Sequence, residues 1–287
     1  MNKQLSIMGG ALAGLFDYAG MFPPAELNLR SVVERYLDYR HGRNAWALGR
    51  LVIHTKYLNT LREDAYGDIR ELQLSVIATG TDLKAIQQHV DKGLPIEAIE
   101  MKAVDRSELL HLRSGLPPRI ATYVEVPLGA GDFWILDQIR EAGVNAKLRM
   151  GGIVAEAFPD SAAVAAGLKA LAERRIAFKA TAGLHHPLRS QHPLTYQKDS
   201  KTGMMHGFVN LLCASALVWF AGEADEAATL LEEQNLHAWQ ITPDAIRWRS
   251  WEWSTDQIRE VHECFLMSIG SCSFTEPMDE LEALGWL

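Results

Sequence analysis

Two rhythms of apolar residues run through the first two-thirds of the chain. Short apolar runs alternate with longer stretches whose apolar positions recur every three or four residues. The first pattern predicts buried strands and the second amphipathic helices. The strand-like runs are Leu12–Tyr18, Trp46–His54, Gln73–Ala78, Ile96–Met101, Arg119–Val126, Ala146–Met150 and Ile176–Thr181. Helical stretches fall between them at Leu29–Arg40, Tyr57–Glu63, Leu83–Lys92, Ser107–Arg113, Phe133–Ala142 and Ser161–Arg175. Asn28 is placed to cap the first of these, and Val32, Val33, Tyr36 and Leu37 give it one apolar stripe. Regular alternation of this kind predicts an α/β fold with a parallel sheet, closed as a (βα)8 TIM-type barrel.

After residue 189 the rhythm changes. Ser190–Gly203 is polar and reads as a loop. His206–Phe220 and Ala224–Glu233 read as helices, and Trp239–Thr242 with Ile246–Trp253 as a hairpin about Pro243-Asp244. A further helix, Asp256–Leu266, has Ser254 or Thr255 as its cap, and Ile269–Phe274 supplies the eighth strand and a glycine/serine loop. Residues 1–287 thus read as one barrel domain, with 190–253 a helical and hairpin insertion between strands seven and eight, near the barrel mouth.

Composition narrows the function. The 287 residues are 48% hydrophobic and 22% charged, with net charge −8. There is no lysine/arginine block, so nucleic acid is not the expected partner. Cys213, Cys264 and Cys272 form no CxxC pattern, which fits a reducing compartment. The most apolar run, Phe208–Ala221, is short for a membrane span and contains Asn210 and Ser215. The expectation is a soluble cytoplasmic protein that acts on a small molecule without a cofactor, with homo-oligomers as a further possibility. The tryptophans at 248, 251 and 253 suit core or oligomer packing.

Two stretches share one design. Lys147 and Arg149 stand among apolar residues ahead of Gly151, and Lys179 stands among apolar residues ahead of Gly183. Side chains alternate along a strand, so Lys147 and Arg149 share a face, as do Lys179 and Thr181. On adjacent strands, with their layers matched, the two lysines would lie about 6 Å apart. Two charges at that distance repel by roughly 3 kcal/mol at an effective dielectric of about 20. That is about 2 pKa units, enough to bring one amine, assigned to Lys147, toward neutrality and nucleophilicity. Structural pairing of each lysine with a carboxylate is the plain alternative.

Taken in order, the strand ends resemble those of deoxyribose-phosphate aldolase and its class I aldolase relatives. Asp17 stands six residues before Pro23, Glu100 precedes Met101, and Glu125 lies near the end of the fifth strand. Lys147 and Lys179 each stand four residues before a glycine, and Ile269-Gly270-Ser271-Cys272-Ser273 follows in the last strand. The resemblance departs at Gly183-Leu184-His185, where the family has Gly-Ile-Arg, and at Glu100, where it has aspartate. It implies a lyase in which Lys147 forms a Schiff base, Lys179 tunes it, and Glu100 and Asp17 relay protons. Arg149 would then orient an anionic group on the substrate. Asp17 as a loop cap and Glu125 as an ion-pair partner of Lys147 or Arg149 remain alternatives.

The histidines offer a rival chemistry. His185, His186 and His206, with Glu125 or Asp17, are candidates for a metal site in a hydrolase or isomerase, with His54 a weaker member. His206 and Asn210 are expected to face the pocket. Ser271, Cys272 and Ser273 are possible nucleophiles without a neighbouring triad, and Gly270, Ser271 and Ser273 are better suited to offer backbone N–H groups to an anion. A non-catalytic barrel whose excursion binds a protein partner is the third class.

Overall fold

The computed structural model describes residues 7–63, 68–102, 109, 117, 119–128 and 134–287. Eight parallel strands close into a barrel. They are β1 (Phe16–Tyr18), β2 (Leu48–His54), β3 (Leu74–Ala78), β4 (Ile96–Met101), β5 (Ala121–Val126), β6 (Asn145–Arg149), β7 (Phe178–Thr181) and, far along the chain, β13 (Leu266–Ser271). β13 closes the ring between β7 and β1. A TIM-type α/β barrel is therefore the architecture.

The helices α1 (Ile7–Ala11), α2 (Leu29–Arg40), α3 (Leu58–Glu63), α4 (Leu83–Asp91), α5 (Trp134–Ala142) and α6 (Ser161–Glu173) belong to the repeating part. Asn28 caps α2, its side chain accepting from Ser31 N–H, and Leu29, Val32, Val33 and Tyr36 are its buried face. Asp160 caps α6 in the same way. The helix expected at Ser107–Arg113 lies outside the described residues apart from Leu109.

Between β7 and β13 the chain builds β8 (Ser190–Pro193), β9 (Thr202–Met205), α7 (Phe208–Ala221), α8 (Ala224–Leu231), β10 (Trp239–Ile241), β11 (Ala245–Trp248), β12 (Trp251–Ser254) and α9 (Thr255–Cys264). α10 (Thr275–Ala283) follows β13. Four expectations need correction. Ser190–Gly203 is not a loop: its ends pair as the antiparallel ribbon β8–β9. The second arm of the expected hairpin is two strands, because Arg249 adopts a left-handed conformation (φ 51°) between Trp248 and Trp251. Leu12–Tyr18 is strand only from Phe16, with α1 and a turn before it. The helix expected to reach Leu266 ends at Cys264, and β13 begins at Leu266.

Trp248 is fully buried and donates its indole N–H to Glu233, while Trp251 and Trp253 stack with ring centroids 6.4 Å apart. These residues pack the excursion against itself. No helix among the described residues is long and apolar enough to cross a membrane.

Candidate active site

The charged residues singled out at the strand ends meet inside the barrel. β6 and β7 pair in register, Lys147 opposite Lys179 and Arg149 opposite Thr181. Glu125 on β5 is the register partner of Lys147. The result is a chain of ion pairs with alternating sign. Arg149 Nε lies 3.1 Å from Glu125 Oε1, and Lys147 Nζ lies 3.4 Å from Glu125 Oε2. Lys147 Nζ is also 3.2 Å from Glu100 Oε2, whose other oxygen accepts from Lys179 at 2.5 Å. Lys179 in turn donates to Asp17 Oδ2 at 2.6 Å. Three cations and three carboxylates alternate from the half-exposed guanidinium of Arg149 down to the fully buried amine of Lys179.

Neutral partners complete the deep end. Ser75 donates to Glu100 Oε1 at 2.7 Å, and Ser268 to Asp17 Oδ2 at 2.9 Å. The backbone N–H of Arg50 donates to Asp17 Oδ1 at 2.6 Å. Gly49 makes room for this carboxylate, since a Cβ there would stand 2.4 Å from Asp17 Oδ1. Buried charges persist only when paired and hydrogen-bonded, and each of these is.

This changes the electrostatics expected from sequence. Repulsion between the lysines was reckoned without the carboxylates, and Glu100 stands between the two amines. Burial alone pulls the Lys179 amine down, but Asp17 and Glu100 outweigh it and hold its pKa above the ordinary lysine range. Burial pushes Glu100 up, but Lys179 and then Lys147 outweigh it and hold its carboxyl down at about 2. Burial raises Glu125 less than Arg149 and Lys147 lower it.

A cavity of about 560 Å³ opens above this chain, within the usual range for small-molecule sites. Glu100, Lys147 and Arg149 line it, while Lys179, Asp17 and Glu125 do not. Phe22, Pro23, Pro24, Val52, Ile77 and Met205 give it apolar wall. The β8–β9 ribbon contributes His192 to Gln197, so this part of the excursion borders the mouth. Gly151 and Gly183, which follow the two lysine strands, pack under Phe158. A Cβ on either would stand within 2.6 Å of that ring, and Gly183 has φ +71°.

Comparison with family models, with curated proteins and with solved structures returns no match to this chain.

The remaining expected site residues divide into two groups. His185 and Gly270 line the cavity, as do His186 and Cys272. Ser271 is buried beside His185, its Oγ 3.2 Å from Nδ1, and Ser273 donates its N–H to Ser271 Oγ rather than into the cavity. His206 and Asn210, by contrast, do not face the pocket. The fully buried ring of His206 holds Pro159 O at 2.8 Å through Nε2 and Arg189 at 3.2 Å through Nδ1. The Asn210 amide donates to Leu230 O and Glu233 O, and its oxygen accepts from Arg189 N–H. Both residues fasten α7 to its neighbours. This corrects the histidine metal set: His206 has no free ring nitrogen, His185 turns to Glu276, and His186 turns to Glu280. Among the described residues no group of three or more His, Cys, Asp or Glu could hold a metal ion. Nothing in sequence spacing marks Ser75, Ser268, Tyr196 or Glu276, which reach the site only through tertiary packing.

Proposed function

We propose that the protein is a lysine-dependent, aldolase-like carbon–carbon lyase in which Lys147 forms a Schiff base with a small, anionic carbonyl compound. One observation carries the reading: the Lys147 amine lines the cavity between Glu100 and Glu125, while Lys179 lies beneath it, engaged by Asp17 and Glu100. The ordered resemblance to class I aldolases agrees with that assignment.

The resting ammonium of Lys147 gives a proton to water in the cavity, the amine so freed attacks the carbonyl carbon, and the proton returns to the carbinolamine oxygen, which leaves as water to give an iminium. The iminium then accepts the electron pair of the bond between the α and β carbons, while the β-hydroxyl gives its proton to water and leaves as an aldehyde or ketone, so that an enamine remains. Protonation at carbon and hydrolysis return the amine. An ammonium and an iminium at Lys147 carry the same charge in nearly the same place. The carboxylates that hold the resting side chain therefore also stabilise the intermediate, without reorganisation. Glu100, held at about 2, stays ionised and acts as that fixed counter-charge. Lys179 is a positioning residue that keeps Glu100 ionised. Arg149, half exposed at the mouth, orients the anionic end of the substrate. The 190–253 excursion is read as an insertion whose β8–β9 ribbon limits substrate size.

The test is borohydride reduction in the presence of pyruvate and a panel of small aldehydes and ketones, followed by peptide mapping. The adduct should fall on Lys147 and vanish in Lys147→Ala. An adduct on Lys179 alone would exchange the two roles, and a folded protein that traps none of the panel would end the proposal.

A further inference from the structure

The wall of the cavity made by the loops after β7 and β13 carries a second cluster, unconnected with the lysine chain. Ala182 and Gly183 both have positive φ (66° and 71°), and this double turn buries Leu184 and places His185 beside the end of β13. Cys272 Sγ lies 3.8 Å from His185 Nε2 and 4.0 Å from Nδ1. His185 Nδ1 lies 3.3 Å from Glu276 Oε2, in the first turn of α10, and 3.2 Å from Ser271 Oγ. Tyr196, from the turn of the β8–β9 ribbon, brings its hydroxyl within 3.6 Å of Cys272 Sγ. Cys272, His185, Glu276 and Tyr196 all line the cavity.

A thiol nearly equidistant from the two nitrogens of an imidazole, and a carboxylate on Nδ1, bring together the three residue types of a nucleophilic triad, and a small turn of the ring aligns Nε2 with sulfur. We propose that Cys272, His185 and Glu276 form a nucleophilic centre that takes an acyl group from a small activated ester or thioester. Burial lowers the pKa of the imidazole, but its bonds to Cys272 and Glu276 outweigh that and raise it to about 10. The imidazolium that a thiolate needs beside it is thus favoured at neutral pH. The groups facing the ring are Cys272, Glu276 and Ser271, with His186 6.3 Å away between ring centroids.

The thiol proton passes to His185 Nε2. The thiolate attacks the acyl carbon, a carbon–sulfur bond forms, and the leaving group departs with the Nε2 proton. Neutral His185 then takes a proton from water as its oxygen attacks the thioester, releasing the carboxylic acid and restoring the thiol. Tyr196 stands close enough to stabilise sulfur at both stages. This centre does not depend on the lysine reading, and a failure of borohydride trapping at Lys147 leaves it standing.

The experiment uses the full chain with p-nitrophenyl acetate, quenched in acid and peptide-mapped, with the exposed Cys264 as internal reference. Acetyl should appear on Cys272, be lost in Cys272→Ala, fall at least about tenfold in rate in His185→Gln, and be unchanged in Cys264→Ala. Wild-type protein supplies a readout that needs no variant. Iodoacetamide should label Cys272 ahead of Cys264, despite its burial, because His185 stands beside its sulfur to take the thiol proton. Glu276→Gln should slow that labelling. Acetyl on Lys147 or Cys264 with Cys272 untouched, or labelling of Cys272 no faster than that of Cys264, would overturn the proposal.

Discussion

Replacing Lys179 by methionine tests whether the buried charge chain is one electrostatic unit. The substitution keeps most of the side-chain volume and removes the single positive charge between Asp17 and Glu100. At an effective dielectric of about 20, each carboxylate attracts the ammonium by roughly 4 kcal/mol. Desolvation of three buried ions opposes this, and breaking such a pair usually costs about 3–5 kcal/mol. The depression of Glu100 gives a second route to the magnitude. Its carboxyl falls from 4.5 to about 2, which is worth about 3 kcal/mol by linkage. That stability is present above the unfolded value, near 4.5, and is lost as pH falls through the folded one. Lys179, held above its ordinary range, has the opposite sign: its contribution is present below the unfolded lysine pKa and lost only as pH rises through the folded value. The deficit of Lys179→Met should therefore be about 3 kcal/mol or more at pH 7 and should shrink as pH falls from about 5 toward 3. Urea unfolding followed by tryptophan fluorescence at both ends of that range measures it. A deficit below about 1 kcal/mol at pH 7, the size expected of an exposed pair, would refute the reasoning, as would one that does not change with pH.

Three further substitutions separate scaffold from chemistry. Glu125→Gln removes a carboxylate beside Lys147 and should speed borohydride trapping at neutral pH; an unchanged rate would show that Glu125 serves only Arg149. Asn210→Ala leaves three buried backbone groups without their partner and should cost about 3 kcal/mol by denaturation. It should leave trapping by the folded protein intact, and a selective loss of trapping would return Asn210 to the site. Gly183→Ala places a methyl against Phe158 at a left-handed position and should cost at least about 2 kcal/mol, of which Phe158→Ala should recover the steric part but not the backbone part.

The charged floor was legible in sequence because lysine, arginine and glutamate inside apolar runs violate the usual pattern. Strand alternation then fixed which residues share a face, while the Lys147–Lys179 register was a condition on matching layers that the fold meets. What sequence concealed was the sign of the sum. Asp17 and Glu100 come from strands that pair with neither β6 nor β7, and only closure of the barrel brings them onto the two amines. The β8–β9 ribbon was illegible for a different reason. Much of its surface stays in water, so its residues carry no strong apolar alternation. The boundary at Cys264 was missed because Phe265 and Leu266 continue the apolar rhythm, while the backbone breaks there (φ −133°, ψ −68° at Phe265). His206 and Asn210 looked functional as polar residues at the head of an apolar helix. Their role is to satisfy carbonyls that the packing of α7 would otherwise strand.

The position of β13 bears on how the chain must be made. A ribosome delivers β1 first and β7 by residue 181, yet the strand that joins them does not begin until residue 266. At about 5–20 residues per second, the stretch between takes roughly 4–17 s to emerge. Throughout that interval the nascent sheet has seven strands and two unsatisfied edges, β1 and β7, each able to pair with a neighbouring chain. Asp17 also waits at one of those edges for Ser268. Emergence of Leu266–Ser271 is thus the moment at which an aggregation-prone open sheet becomes an edgeless one. Slower synthesis in this region should lower the yield of soluble protein, and shortening the wait should raise it.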